Sequence, residues 1–193
     1  MAWTLEEILT ATGGKLEGQP KAGRFDEIVT DSTKVKTGSV FVALKGERFD
    51  GHHFTKETIE RGAGCLLVHQ ALGPADLRSV TAVKVPDTLR ALGDLAHFRR
   101  ERYAAKVLAI TGSNGKTTTK EMLAAILQRA SLNRQPLKGR VLKTEGNFNN
   151  LVGLPLTLLR LRKRHRVVVV EMGTNRPGEI ERLTEIARAQ RLV

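Results

Sequence analysis

The chain has 193 residues, of which 40% are hydrophobic and 27% charged, an ordinary composition for a soluble globular protein with one large or two small domains. A single cysteine, Cys65, excludes an internal disulfide, no apolar run approaches the roughly 20 residues of a membrane span, and no signal-peptide pattern opens the chain. The formal net charge is +12, but the basic residues are spread along the chain, so we expect a solvated surface or attraction for an anionic small molecule and no nucleic-acid partner.

Residues 1–85 predict a small mixed α/β domain with its own core. The pattern Thr4-x-x-Glu7 is a capping box that starts a helix, and Gly13 and Gly14 end that helix. Apolar runs bounded by turn residues then predict four strands and a second helix. In chain order these are a strand at 28–30, a strand at 40–44, the helix at 55–61, and strands at 65–68 and 82–85.

A further helix begins at Asp87 and ends near Tyr103, and we expect it to connect the first domain to a second one. Its inward face is predicted to carry Leu89, Leu92, Leu95, Ala96 and Phe98.

From Lys106 onward, apolar strands alternate with helices, which is typical of a parallel sheet covered on both faces. The strands are predicted at 107–110, 141–143 and 167–170, and the helices at about 117–130, 150–162 and 177–189, with Pro177 in the first turn of the last helix. Open α/β sheets commonly have more strands than these. Leu192 and Val193 read as the start of another strand, so we expect an incomplete second domain over residues 86–193 and a chain that is inactive alone.

Residues 111–118, Thr-Gly-Ser-Asn-Gly-Lys-Thr-Thr, lie between a predicted strand and a predicted helix that carries Leu123, Ile126, Leu127 and Ala130 on one face. Two glycines let the backbone N–H groups approach a polyphosphate, Lys116 supplies a charge for it, and the Thr117 hydroxyl is placed for Mg²⁺. The glycine frame is shorter than the common G-x-x-x-x-G-K-[ST] pattern. We predict an ATP site formed by Thr111, Gly112, Ser113, Asn114, Gly115, Lys116, Thr117 and Thr118.

Glu171 directly follows a run of four valines. The carboxyl ends of parallel strands share one edge of the sheet, so this carboxylate is expected beside Thr117, where it can hold Mg²⁺. The alternative is a glutamate that only caps the loop before the next helix.

Two further groups of polar residues occur in predicted turns. Asn147, Asn149 and Asn150 precede a helix and favour a substrate-contacting loop, although asparagine is also common in turns and N-caps. In the first domain, the segments around Asp31-Ser32-Thr33 and from Lys45 to His53 lie at strand ends and could equally be ordinary turns. His52 and His53 have no spaced partner ligand, so no metal site is expected there.

The segments ITGSNGKTTTKEM, EGNFNNLVGLPLTLL and VVVEMGTNRPGEI, in this order, resemble the Mur ligases, ATP-dependent enzymes that build the peptide of bacterial peptidoglycan. The segments DSTKVKTGSVFVALKGERFDGHHF and GAGCLLV resemble the uridine-nucleotide-binding domain of that family. The resemblance covers essentially the whole chain. It implies that ATP phosphorylates the terminal carboxylate of one substrate and that an incoming amine then attacks the acyl phosphate.

The resemblance also implies roles for individual residues. Gly112 to Thr118 would bind the phosphates with Lys116 as the cation, and Thr117 and Glu171 would bind Mg²⁺. Catalytic work would fall to Lys116 and to the loop near the reacting centre, whose asparagines are Asn147, Asn149 and Asn150. Substrate binding would involve Ser32, Thr33, Gly46 and Asp50. The EGNFNN segment is most similar to the branch that adds D-alanyl-D-alanine to UDP-N-acetylmuramoyl-tripeptide, which implies a cytoplasmic, monomeric enzyme.

Other functions stay open at this point. One is the branch that adds the third amino acid of the peptide, or a folylpolyglutamate synthase, although the latter lacks the uridine-binding domain. Another is a basic phosphate-loop ATPase that binds nucleic acid, which would show salt-dependent binding. A third is a small-molecule kinase. The family's carbamylated lysine, the histidine near its second metal and its C-terminal domain have no assignable counterpart before Val193.

Overall fold

The computed structural model describes residues 2–46, 49–174 and 176–192 and separates into two compact units, with the division between Leu95 and Ala96. Val193, which the sequence analysis placed in a last strand, lies outside the described residues. No helix within the described part of the chain is long and apolar enough to cross a bilayer.

The first unit is a five-stranded mixed sheet with short helices. Its strand order is β2-β7-β6-β5-β4; β4 to β7 are parallel to their neighbours and β2 is antiparallel to β7, while β1 and β3 form a separate antiparallel pair. In chain order the elements are β1 Trp3–Thr4, α1 Leu5–Thr12, β2 Lys15–Glu17, β3 Arg24–Phe25, β4 Ile28–Val29, β5 Val40–Val42, α2 Thr55–Glu60, β6 Cys65–Val68, α3 Pro74–Ser79 and β7 Thr81–Lys84.

Every element predicted for this unit is present, whereas the short β1, β2, β3 and α3 were missed. The core of the unit lies around β6, whose four residues are all buried. Phe41, Leu66 and Val68 pack together in this core. Burial raises the pKa of the Cys65 thiol to about 12, so this cysteine is an unreactive core residue.

The start of α1 confirms the capping box. The Thr4 hydroxyl accepts from the Glu7 backbone N–H at 3.1 Å, and the Glu7 carboxylate accepts from the Thr4 backbone N–H at 3.0 Å. Trp3 and Ile8 on either side are both buried. Gly13 ends the helix in the left-handed region with φ +62°.

Helix α4, Thr88–Glu101, begins where predicted, because the Asp87 carboxylate accepts from the backbone N–H groups of Leu89 and Arg90. The Thr88 hydroxyl donates to the Ala43 carbonyl at 2.9 Å, so the first turn of the helix is bonded within the first unit. The division between the units therefore falls inside α4, whereas the sequence analysis drew a domain boundary after residue 85.

The second unit is a four-stranded parallel sheet with strand order β11-β12-β8-β13, as the alternating pattern predicts. Its elements are β8 Lys106–Ile110, α5 Lys116–Arg129, β9 Ser131–Leu132, β10 Gln135–Pro136, β11 Val141–Lys143, α6 Gly153–Leu159, β12 Val167–Glu171, α7 Glu179–Ala187 and β13 Arg191–Leu192. Residues of α5 pack on one face of the sheet, and residues of α6 and α7 pack on the other.

Two expectations for this unit were wrong, and one pair of strands was not predicted. Pro177 precedes α7 and is not part of its first turn. The helix begins at Glu179, after Gly178, whose own backbone is in the left-handed region. Ile126 is 62% exposed, because the buried side of α5 is centred on Ala124. The short hairpin of β9 and β10 was not predicted; its turn has Asn133 and Arg134 at positive φ.

The excess positive charge belongs to the second unit and is not spread evenly along the chain. Residues 96–193 contain 20 Lys and Arg against 7 Asp and Glu, whereas residues 1–95 contain 12 against 13. The formal charges of the two units are therefore +13 and −1. This distribution favours an anionic ligand on the second unit.

We expect Thr4→Ala to lower the free energy of unfolding of the first unit by about 1 kcal/mol, because the capping box loses its hydroxyl. Urea denaturation followed by the fluorescence of Trp3, the only tryptophan, measures this directly. Thr10→Ala, on the exposed side of the same helix, is the control and is expected to be neutral or slightly stabilising. Equal losses in both variants would contradict the capping assignment.

Candidate active site

The glycine-rich loop leaves β8 at Ile110 and enters α5 at Lys116. Gly112 and Gly115 have φ values of +138° and +74°, which other residues rarely adopt. Gly115 is the N-cap of α5 and makes no side-chain capping bond, so the first N–H groups of the helix are open to an anion. Ser113, Asn114 and Thr118 are exposed, and Thr111 is half-buried.

Lys116 lies folded over this loop. Its ammonium donates to the Gly112 carbonyl at 2.7 Å and, more weakly, to the Ser113 carbonyl at 3.4 Å. The charge is therefore held next to the loop backbone, where a bound phosphate would lie.

Glu171 ends β12 at the same edge of the sheet. It pairs in register with Ile110, the last residue before the loop, which explains why a strand-end carboxylate reaches the loop. Its side chain is buried. One carboxylate oxygen accepts from the Thr117 hydroxyl at 2.9 Å, and the other accepts from the Asn149 side-chain amide at 2.9 Å.

Lys120 is a functional candidate that the sequence analysis missed. Its side chain is only 1% exposed, and its ammonium lies 3.7 Å from the Glu171 carboxylate and 3.2 Å from the Glu121 carboxylate. It also donates to the Gly146 carbonyl at 3.4 Å. Nothing local in the sequence signals this burial, because a lysine is ordinarily solvated.

Thr117 and Glu171 fit a magnesium ion. Both offer hard oxygen donors, and they are already in hydrogen-bond contact at the end of the glycine loop. The described residues contain no group of three or more His, Cys, Asp and Glu side chains that could hold a metal on their own. Magnesium commonly takes one or two protein ligands together with the phosphates of a nucleotide.

The three predicted asparagines have different environments. Asn149 contacts Glu171, and its carbonyl accepts from the Gly173 N–H at 2.8 Å. Asn150 accepts from the N–H groups of Val152 and Gly153, so its side chain caps α6, which is the turn-and-cap alternative. Asn147 is exposed, and its backbone carbonyl accepts from the Asn149 N–H at 2.7 Å.

In the first unit, Ser32 and Gly46 line a cavity of about 340 Å³ together with Asp31, Phe41 and Phe49. Thr33 lies outside that lining. Its hydroxyl donates to the Asp31 carboxylate at 2.6 Å, which fixes the turn that carries Ser32. The cavity therefore combines short polar side chains with aromatic rings.

Asp50 is also outside the cavity lining, and its carboxylate is held by hydrogen bonds from His52. The His52 ring nitrogen Nε2 accepts from the His69 backbone N–H at 3.1 Å, so Nδ1 carries the proton and donates to the Asp50 carboxylate at 2.6 Å. The backbone N–H of His52 donates to the same carboxylate. This backbone bond and the neighbouring histidines lower the pKa of Asp50 to about 2.

Comparison with known proteins gives one family. Residues 24–100 match the model described as Mur ligase family, catalytic domain, and residues 110–191 match the model described as Mur ligase middle domain. Together the two matches take in most of the chain.

Two relatives are named UDP-N-acetylmuramoyl-tripeptide--D-alanyl-D-alanine ligase. The protein from Haemophilus influenzae is 42% identical over 184 residues, which cover 95% of this chain and 38% of the relative. The protein from Escherichia coli is 41% identical over 187 residues, which cover 97% of this chain and 38% of the relative. The chain thus spans about two fifths of the length of these relatives.

Solved structures are similar to the same family of proteins. A crystal structure of MurF from Acinetobacter baumannii has a TM-score of 0.88 and 38% identity, with 100% of this chain and 40% of that chain covered. MurF ligase from Thermotoga maritima in complex with ADP has a TM-score of 0.71 and 37% identity, with 83% and 35% covered.

We expect Gly153→Ala to destabilise the second unit strongly and to displace the asparagine turn, which is the segment 146–150 that carries the three asparagines. A Cβ at residue 153 would lie 2.3 Å from the Phe148 Cα, which is backbone and cannot move aside cheaply. Thermal unfolding followed by circular dichroism should show a clear drop in Tm. Gly23→Ala is the control, because residue 23 has an ordinary φ and open space for a Cβ. Equal Tm values for the two variants would contradict the close approach of residue 153 to the Phe148 backbone.

Proposed function

Because the chain belongs to the Mur ligase family, we propose that the protein is an ATP-dependent ligase that joins D-alanyl-D-alanine to UDP-N-acetylmuramoyl-tripeptide. The observation that carries the proposal is the contact between Thr117, at the start of α5, and the buried Glu171 carboxylate at the end of β12. The choice of substrates is supported by the names of the relatives, which are 41% and 42% identical to this chain over nearly its whole length.

The second unit would bind ATP. Its glycine loop offers backbone N–H groups at a helix N-terminus, Lys116 offers a charge, and the unit carries a formal charge of +13. The Thermotoga neighbour, which bound ADP when solved, supports the same ligand. Thr117 and Glu171 would hold Mg²⁺, which supplies neutralisation of phosphate charge when bound.

The reaction requires the protein to stabilise negative charge. A carboxylate of the tripeptide takes the γ-phosphoryl group of ATP, and the amine of D-alanyl-D-alanine then attacks the acyl phosphate and releases phosphate. Lys116 would stabilise the negative charge on the transferring group. Asn149 would orient Glu171, while Asn147, which is exposed beside it, is free to contact the reacting groups. Asn150 would act by capping α6 and so fixing the turn.

The first unit would bind the uridine nucleotide and sugar of the large substrate. Ser32 and Gly46 line its cavity and would touch the ligand, and the exposed ring of Phe49 offers a surface for a planar group. Thr33 and Asp50 would be positioning residues, because each is bonded to its own loop. We place the reaction in the cytoplasm, where ATP and nucleotide-linked precursors are available, and propose a monomer.

The main alternative within the family is the ligase that adds the third amino acid. A solved UDP-N-acetylmuramoyl-L-alanyl-D-glutamate--2,6-diaminopimelate ligase is 17% identical with a TM-score of 0.57, a likeness that supports the fold alone. The nucleic-acid alternative has only the charge of the second unit in its favour.

A ligation assay tests the proposal. The complete natural protein is incubated with ATP, Mg²⁺, UDP-N-acetylmuramoyl-tripeptide and D-alanyl-D-alanine, and products are identified by mass spectrometry. We expect the pentapeptide, ADP and phosphate in equal amounts. Product formed instead from UDP-N-acetylmuramoyl-dipeptide and a single amino acid would favour the other branch, and ATP hydrolysis stimulated by DNA or RNA without ligation would contradict the proposal.

We expect Lys116→Met to lower kcat/KM for ATP by about 10²-fold or more, because one preorganised charge is removed from the transferring phosphoryl group. The fold should be unchanged, since Lys116 is not in the core. Lys138→Met removes an exposed lysine from the same unit and should leave the rate within a factor of two (about 0.4 kcal/mol). Near-normal ligation by Lys116→Met would contradict the phosphate-binding role of the loop.

A further inference from the structure

Lys120 is a buried cation whose presence the phosphate-loop chemistry does not explain. It lies one turn beyond Lys116 on the buried side of α5, and its side chain is almost inaccessible to solvent. Burying an ammonium is strongly unfavourable unless it is paired and hydrogen-bonded, and an apolar residue would fill the same helix position without that cost.

The partners of Lys120 lie in the candidate site or next to it. Its ammonium lies between the carboxylates of Glu171 and Glu121 and bonds the Gly146 carbonyl, in the turn that also carries Asn149. Glu121 is also paired with Lys143, at the surface. The Glu171 carboxylate therefore depends on Lys120 for its charge balance within the described residues.

We propose that Lys120 is the resident counter-ion of Glu171 and that it competes with Mg²⁺ for this carboxylate. The inference rests on the proposed function for the identity of the metal site. Lys120 is a positioning residue, because it holds Glu171 beside Thr117 before a cation binds. Within the described residues, none of its bonds is made to the glycine loop.

The competition follows from charge. In the free protein Glu171 is already neutralised by an ammonium at 3.7 Å. A divalent cation that takes the same carboxylate leaves this ammonium facing a cation, so part of the binding free energy is lost to repulsion. By thermodynamic linkage, removal of the Lys120 charge must strengthen cation binding and must also make the metal-free protein less stable, because Glu171 is then buried without a counter-ion.

The Gly146 contact extends the effect to the asparagine turn. Lys120 bonds the turn through the Gly146 carbonyl, and Glu171 bonds it through Asn149. A cation that weakens the hold of Lys120 on Glu171 thus acts on both ends of the same turn. The turn beside the reacting groups is in this way coupled to occupation of the metal site.

The test uses Lys120→Met in the 193-residue chain with Mn²⁺ as the probe, read by electron paramagnetic resonance, and with Tm measured with and without MgCl₂. We expect Lys120→Met to bind Mn²⁺ about tenfold more tightly than the unsubstituted chain, within the usual range of coupling between two sites. Its Tm without metal should be lower, and the rise in Tm on addition of Mg²⁺ should be larger. Lys138→Met controls for the loss of one positive charge and should change none of these.

Equal, weaker or absent Mn²⁺ binding by Lys120→Met would overturn the proposal. Should that variant fail to fold, Lys120→Met combined with Glu171→Gln decides, because removal of both charges should restore stability relative to the single variant. A double variant as unstable as Lys120→Met would equally overturn it. Tight Mn²⁺ binding in a protein without ligase activity would leave this inference standing while the proposed function failed.

Discussion

A single buried carboxylate, that of Glu171, organises the candidate site. A charged group that is removed from water must find hydrogen-bond donors and a counter-ion, and no one element of this fold supplies them all. The hydroxyl comes from the first turn of α5, the ammonium from its second turn, and the amide from the asparagine turn. Two segments that are distant in sequence, α5 and the asparagine turn, are therefore tied to the end of one strand.

The parallel sheet makes this arrangement possible. β8 and β12 are neighbours in register, so the glycine loop after Ile110 and the carboxylate at Glu171 emerge side by side. α5 then places the Thr117 hydroxyl and the Lys120 ammonium beside the carboxylate at helical spacing, while Lys116 reaches back over the loop. The positive charge of this unit, the open helix N-terminus and the oxygen donors favour the same class of ligand, a polyphosphate with its cation.

The sequence was sufficient for the features that local rules govern. Buried runs such as 65–68 and 167–170 predict strands, Thr4 and Glu7 predict a helix start, and the glycine loop together with Glu171 predicts a site at one sheet edge. It was insufficient where distant contacts decide. A lysine is ordinarily solvated, so nothing local marks Lys120 as buried. The bond from the His69 N–H to His52, which leaves the other ring nitrogen to donate to Asp50, comes from the residue that follows β6. The exposure of Ile126 likewise depends on which side of α5 meets the sheet.

The central claim is that Thr117 and Glu171 form the cation site of a nucleotide bound at residues 111–118. A crystal structure of the protein with a non-hydrolysable ATP analogue and Mn²⁺, with anomalous data collected at the manganese edge, tests it most directly. The account predicts one anomalous peak within about 2.5 Å of an oxygen of Glu171 and of the Thr117 hydroxyl, with the phosphates against the glycine loop. A peak coordinated by other side chains, or phosphates bound away from residues 111–118, would contradict it.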